Sequence, residues 1–340
     1  MKVEVCQDAP KWDAYVSAHP LASPYHRWIW KDVIETTFGH RTFYLAVEDK
    51  GRIQGVLPMV AMRSLLFGRF IVSIPYFSYG GVLADSAEAS EALLNRAAET
   101  AKDWGARYIE LRQGGNFGPA WSSTSEKVAM VVPLPATVEG LWNGLNSRLR
   151  NKVRNAKKNG FQQEWGGEEL VDDFYRVFAD NMRNLGTPVY PRRWFSQLCR
   201  LCKSDVRILL IREEGKPVAA ALVNWFRDTV ELPWISSTSE ARRRHSTVLL
   251  YWNALEWAVA NGFRHVDLGR CTRGGGTYQF KQQWNCEERP LHWYYWLAPG
   301  AAIPELRPDN PRYRWATHVW KRLPLFMANG IGPHIVRSIP

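Results

Sequence analysis

The chain has 340 residues, enough for two domains of roughly 150 residues each, and its 46% apolar and 23% charged content excludes wholesale disorder. Lysine and arginine number 44 against 33 aspartates and glutamates, and the resulting net charge of +11 favours an anionic partner such as nucleic acid, a phospholipid surface or a phosphorylated substrate. The opening MKVEVCQDAPKWD lacks the apolar stretch of a signal peptide, and no later segment reaches the roughly 18 uncharged apolar residues of a membrane span. A cytoplasmic protein is therefore expected, at most peripheral at the inner membrane.

The first element along the chain is TFYLAVEDKGRIQGVLPM, Thr42 to Met59, where two apolar runs flank a charged turn at Asp49, Lys50 and Gly51, the pattern of a β-hairpin. AAETAKDWGARYIELR, Ala97 to Arg112, reads as a helix stopped near Gly105 and followed at once by a short strand. PATVEGLWNGLNSRLRNKVRNAKKNGF then predicts a helix with Thr137 as N-cap, Glu139 near its positive end and Gly160 as its stop. Leu141, Leu145, Leu149 and Val153 form a stripe every four residues, while Arg148, Arg150, Lys152, Arg154, Lys157 and Lys158 crowd the remaining surface. No acidic residue lies between Ser147 and Gly160, so this face is either simply solvated or a site for an anion. WFSQLCRLCK reads as helix, and helical spacing alone explains its Cys199 and Cys202. With Cys6, Cys271 and Cys286 the set is odd and scattered, which predicts reduced thiols and no metal.

A second hairpin, VRILLIREEGKPVAAALVN, spans Val206 to Asn224, and a second helix-strand unit, ALEWAVANGFRHVDLGR, follows it. The turn glycines Gly51 and Gly215 lie 164 positions apart (215 − 51), and Gly105 and Gly262 lie 157 apart (262 − 105). Two matched units in one order at nearly one offset predict a doubled domain rather than an array. The expected fold class is α/β with α+β mixed sheets: residues 1–136 form one domain and 137–298 a second, opened by the basic helix. Residues 299–340 are a Pro-rich basic tail that packs back on a domain, with a membrane-surface contact as the alternative. Within the tail, Pro311 to Leu323 predicts one helix with Trp315, Ala316, Val319, Trp320 and Leu323 on one side.

Most standard catalytic sets are absent from the sequence: there is no G-x-S-x-G, H-E-x-x-H or Walker loop, and no GxGxxG. The chemically dense region is Val266 to Leu297, where a strand ends in Gly269-Arg270, a glycine loop follows, and Tyr278, Phe280, Lys281 and Trp284 come close together. LLYWNALEWAVANGFRHVDLGR and GTYQFKQQWN resemble the second-domain signature of FemAB-type transferases, in which a G-R strand end precedes an F-K-x-x-W/F-G element. This chain carries Asn285 where many members have glycine. RLRNKVRNAKKNGF and FADNMRNLGTPVYPRRWFSQL support the resemblance. SPYHRWIWKDVIETTFGHRTFYLAV, PYFSYGGVLA and the tail are similar, more narrowly, to FemAB-like proteins associated with exosortase (PEP-CTERM) and exopolysaccharide systems.

The resemblance implies tandem GNAT-like acyl-N-acyltransferase domains without a coiled-coil arm, moving an acyl or aminoacyl group onto an amine of a cell-envelope precursor or exopolysaccharide component. It implies no metal or coenzyme. The donor would be aminoacyl-tRNA or, alternatively, acyl-CoA. The F-K lysine maps onto Lys281, with the role of stabilising the tetrahedral oxyanion or contacting the donor's phosphate backbone. Arg270 and Tyr278 would bind phosphate and orient the acyl group, Ser237 and Arg243 sit where members carry acceptor-binding loops, and Phe280 and Tyr251 are further substrate-binding candidates. Arg148, Arg150, Lys152 and Arg154 of the basic helix complete the substrate-binding set. Glu231 and Asp267 are candidates for the general base, though each also reads as an ordinary strand residue. Two other readings stay open: a CoA-dependent GNAT N-acyltransferase, and a non-catalytic membrane-surface scaffold of an exopolysaccharide or exosortase system.

Overall fold

A computed structural model of the chain describes residues 1–65, 67–114, 121–304 and 311–339, with side chains in the last stretch from Ala316 onward. The strands are β1 (Lys2–Val5), β2 (Arg41–Asp49), β3 (Arg52–Ser64), β4 (Gly68–Val72), β5 (Leu83–Ala84), β6 (Tyr108–Gln113), β7 (Ser122–Thr124), β8 (Lys127–Pro133), β9 (Gln162–Gly166), β10 (Val206–Glu213), β11 (Lys216–Phe226), β12 (Thr229–Ser237), β13 (His265–Thr272), β14 (Glu287–Pro290) and β15 (His292–Leu297). The helices are α1 (Ala9–Ala18), α2 (Ile29–Phe38), α3 (Ala87–Trp104), α4 (Val138–Gly144), α5 (Ser147–Lys157), α6 (Val171–Leu185), α7 (Arg192–Leu201), α8 (Ser239–Arg243), α9 (Ser246–Ala260), α10 (Gly276–Gln282), α11 (Pro311–Trp320) and α12 (Leu325–Val336). The chain divides into two compact units, each with one mixed sheet.

In the first unit the sheet runs β1-β2-β3-β4-β6-β15-β7, with β5 on β3. Helix α3 starts where the Ser86 side chain accepts the Ala89 N–H at 3.1 Å and stops at left-handed Gly105. Its small and branched residues at four-residue spacing, Ala89, Leu93, Ala97 and Ala101, are buried against Leu45, Leu57 and Leu111 of the sheet. The second unit's sheet runs β14-β8-β13-β12-β11-β10-β9, with α6 against β11 and β12 and the almost wholly buried α9 against β10 to β13.

The two hairpins match in detail. Lys50 and Gly51 have φ of 48° and 78°, and Glu214 and Gly215 have 49° and 76°, so both turns are two-residue turns with both central residues left-handed. Each ladder also shifts register just before the turn, between Val47 and Glu48 in one and between Ile211 and Arg212 in the other. The strand after each matched helix pairs in parallel with an earlier one: β6 with β4, and β13 with β12. A shared turn type, a shared bulge and a shared parallel pairing are what duplication of one ancestral unit would leave.

Four features differ from the sequence reading, the first being that β8, placed by sequence in the first domain, lies in the second sheet between β14 and β13. Strand β15, placed by sequence in the second domain, is bonded into the first sheet between β6 and β7, pairing six residues with β6 and covering an edge that would otherwise stand open. The expected single helix from Thr137 to Gly160 is two: Thr137 caps α4, and Asn146 caps α5 by accepting the Leu149 N–H at 2.8 Å. The leucine stripe is buried all the same. The expected tail helix is present as α11, and a second, α12, follows it. Ala316 and Val319 of α11 are exposed and Trp320 is half-buried, while the side chain of Trp315 lies outside the described residues. It is α12 that packs back, setting Ala328, Gly332 and Val336 inward against the second unit near α6.

A Cβ on Gly332 would meet the Val189 amide nitrogen at 2.8 Å and its carbonyl oxygen at 3.1 Å, and backbone cannot swing aside as a side chain can. Gly332→Ala is therefore expected to destabilise the docked tail by about 1–3 kcal/mol, read as faster limited proteolysis within residues 311–339 at unchanged far-UV circular dichroism.

Both cysteines of the C-x-x-C are buried, and burial pushes the Cys199 thiol up to about 12, where it holds its proton and is a poor nucleophile.

Candidate active site

The dense region of the sequence becomes a small structural knot on the second unit. The parallel ladder of β12 and β13 pairs Thr229, Val230 and Glu231 with His265, Val266 and Asp267; β12 then runs on to Ser237 and β13 to Thr272. Past the ladder Gly269 adopts φ +81° and donates its N–H to the Asp267 carboxylate at 2.7 Å. The glycine run Gly274–Gly276 then lets the chain reverse into α10, a helix that the loop-like sequence had not announced.

Helix α10 turns Lys281 back onto β13. Its side chain is 4% exposed, and the ammonium donates to the carbonyls of Gly269 at 2.8 Å and Arg270 at 3.2 Å. An ammonium has three N–H groups, so a third remains to meet a ligand oxygen. Burial pulls the pKa of Lys281 below the ordinary lysine value, with Cys271, Asp267 and Cys286 acting in the opposite sense. A Cβ on Gly269 would lie 3.7 Å from Nζ, so glycine supplies both the left-handed turn and an open approach to the cation.

Aromatic rings fix the helix that carries it. Tyr251 of α9 stacks on Trp284 with centroids 5.7 Å apart and meets Phe280 edge-on at 5.1 Å. Asn285 ends the turn at φ +58°, taking the left-handed conformation open to glycine and occasionally asparagine, and its side chain donates to the Gly144 carbonyl at 2.9 Å. Asparagine thus holds a left-handed turn of the kind glycine most readily adopts.

The structure brings Lys281, Phe280 and Tyr251 together and sets Arg270 beside them through its carbonyl. Lys152 of the basic helix joins by donating to Gln283 at 3.0 Å, whereas Arg154 lies over the Trp142 ring and Arg148 is exposed and Arg150 half-buried, neither in a salt bridge among the described residues. Tyr278 is engaged elsewhere: its hydroxyl donates to Glu288, which also pairs with Arg273 at 2.9 Å. Glu288 was not singled out in the sequence, where EERP carries no pattern. Ser237 shares a hydrogen bond with Thr247 at 2.8 Å. Of the three consecutive arginines, Arg242 donates to Asn181 and to the Ser237 carbonyl and Arg244 grips Glu213, leaving Arg243 exposed between them. Glu231 and Asp267 are buried register partners on adjacent strands.

The first unit answers the same positions differently. At the offset of 157, Glu110 corresponds to Asp267 and Arg112 to Gly269. Arg112 is 1% exposed, donates to Glu110 at 2.8 Å and to the Phe77 carbonyl at 2.7 Å, and lies over the Trp293 ring, while the Tyr295 hydroxyl donates to the other Glu110 oxygen at 3.2 Å. Where the second unit keeps a glycine and a cation with a donor to spare, the first fills the position with a bonded guanidinium.

Residues 146–282, which include Lys281 and its two carbonyl partners, match the acetyltransferase (GNAT) domain family. The chain superposes on FemX with a TM-score of 0.68 at 16% identity, covering 93% of this chain and 100% of FemX. A tandem GNAT protein from the clavulanic acid biosynthesis pathway gives a TM-score of 0.56 at 12% identity, covering 89% and 99%. The chain has a tandem GNAT fold. The chain also resembles, in sequence, the lipid II:glycine glycyltransferase of Staphylococcus epidermidis, at 27% identity over 61% of this chain. The match takes in 55% of that relative, so the chain spans about half the length of the curated relative it resembles.

Proposed function

We propose that this tandem GNAT chain is a FemAB-like transferase that moves an aminoacyl or acyl group from an activated ester onto an amine of a cell-envelope precursor. The observation that carries the proposal is the buried Lys281 ammonium, held on two β13 carbonyls with an N–H to spare. The sequence likeness to a glycyltransferase whose acceptor is lipid II supports the substrate class.

In the proposed reaction the acceptor nitrogen attacks the ester carbonyl, and the new C–N bond creates a tetrahedral oxyanion. The free N–H of Lys281 faces that oxygen and lowers the barrier, as fixed cations in water-poor sites do. Collapse breaks the C–O bond, and the proton lost by the amine ends on the departing hydroxyl, carried by Glu231 or Asp267. The cations of α5 hold the donor's phosphates, Arg148 from an exposed and Arg150 from a half-buried position.

The test offers the purified chain aminoacyl-tRNA and acyl-CoA separately, with amine acceptors, and follows acylated product by mass spectrometry. Transfer from aminoacyl-tRNA is expected, weakened by added salt and by Arg148→Glu with Arg150→Glu. Transfer from acyl-CoA alone would replace this reading with the CoA-dependent one, and no transfer from either would favour a scaffold. An exopolysaccharide or exosortase setting rests on the resemblance of the front and tail segments. Mass spectrometry of envelope polysaccharide from cells with and without the protein tests it.

A further inference from the structure

Helix α12 is apolar on two faces, and only one of them is used. Ala328, Gly332 and Val336 point inward, while Phe326, Met327 and Ile331 face out at 77%, 39% and 44% exposure. A helix with large apolar side chains on its solvent side is unusual for a surface helix unless something covers it. The chain around it is one-sided in charge: from Pro311 to Pro340 there are five lysines and arginines, among them Lys321, Arg322 and Arg337, and no aspartate or glutamate.

We infer that the outward face of α12 docks on an anionic lipid bilayer. Exposed apolar side chains flanked by cations without acids is the combination that places a helix in a headgroup layer, with rings and alkyl chains below and ammonium and guanidinium groups among phosphates. The same charge pattern argues against a second copy of the chain, because a two-fold contact would set cations on cations. At 12 residues, about 18 Å at 1.5 Å per residue, α12 lies on a bilayer rather than across its roughly 30 Å core. The inference stands apart from the catalytic reading, although a lipid-linked acceptor would be reached from such a position.

Flotation of the full chain with phosphatidylglycerol-containing and with pure phosphatidylcholine vesicles tests the inference. Binding to the anionic vesicles is expected, reduced by salt and lost by about tenfold in Phe326→Ser with Ile331→Ser. Lys321→Glu with Arg322→Glu should lose it similarly. Both pairs alter exposed positions, so near-UV circular dichroism and transfer to a soluble amine should stay as in the parent. Absence of flotation, equal flotation with phosphatidylcholine, or undiminished flotation of the serine variant would overturn the inference while leaving transfer intact. A concentration-dependent dimer abolished by the serine pair would overturn it in favour of a second copy.

Discussion

Lys281→Met is expected to cut the rate of transfer by about 100- to 1000-fold, the usual cost of removing one fixed oxyanion partner. Methionine keeps most of the buried apolar stem but removes the charge and leaves the Gly269 and Arg270 carbonyls without their donor. That loss should cost about 1–3 kcal/mol of stability, seen as a modest fall in urea midpoint. A catalytic role and a merely structural one separate on this comparison, because a folded protein well below its unfolding midpoint should still be slow. The pH profile separates them again. Burial lowers the pKa of Lys281, so its charged form is lost at a lower pH than that of an exposed lysine. The rate should therefore decline on the alkaline side below the ordinary lysine range, and in the methionine variant that limb should disappear.

The largest effect on stability is expected in the first unit. Arg112→Met strips the only charged partner bonded to Glu110 among the described residues and leaves a carboxylate 1% exposed inside the sheet, at a cost of about 3–5 kcal/mol. Chemical denaturation should show the fall directly. Removing the second charge as well, in Arg112→Met with Glu110→Gln, should recover a large part of it, since the penalty lies in the stranded charge more than in the lost attraction. A single variant as stable as the parent would mean that Glu110 is already satisfied by Tyr295 and its other neighbours.

The duplication was legible in the sequence because local rules write it. A charged two-residue turn between apolar runs and a glycine after a helix fix backbone conformation within a few residues, and both copies obey them at Gly51 and Gly215 and at Gly105 and Gly262. The leucine stripe of α4 and α5 was equally readable, but the break between them was not, because Asn146 inside a continuous apolar period gives no sign that it caps a new helix. Long-range pairing escaped as well: nothing in HWYYWL says that it is a strand of the first sheet.

At the site, Lys281 was readable through its motif, while its two carbonyl partners were not, since they depend on how α10 folds back onto β13. Arg112 was passed over because an arginine at a strand end reads as solvated. Only the structure shows it buried with Glu110 and covered by Trp293. Among three adjacent arginines, sequence could not tell which would be held and which exposed, and the structure holds Arg242 and Arg244 and leaves Arg243 outward. Among the described tryptophans six are buried and ten half-buried, and several of the half-buried rings lie against cations, as Trp142 does under Arg154 and Trp293 under Arg112.

The most direct measurement is single-turnover transfer from radiolabelled aminoacyl-tRNA to a lipid-linked amine, followed across pH in the parent and in Lys281→Met. The account predicts labelled product from the parent, with an alkaline decline set by Lys281, and a rate at least about 100-fold lower in the variant. Equal rates in the two proteins, or a parent that never moves the label, would contradict it.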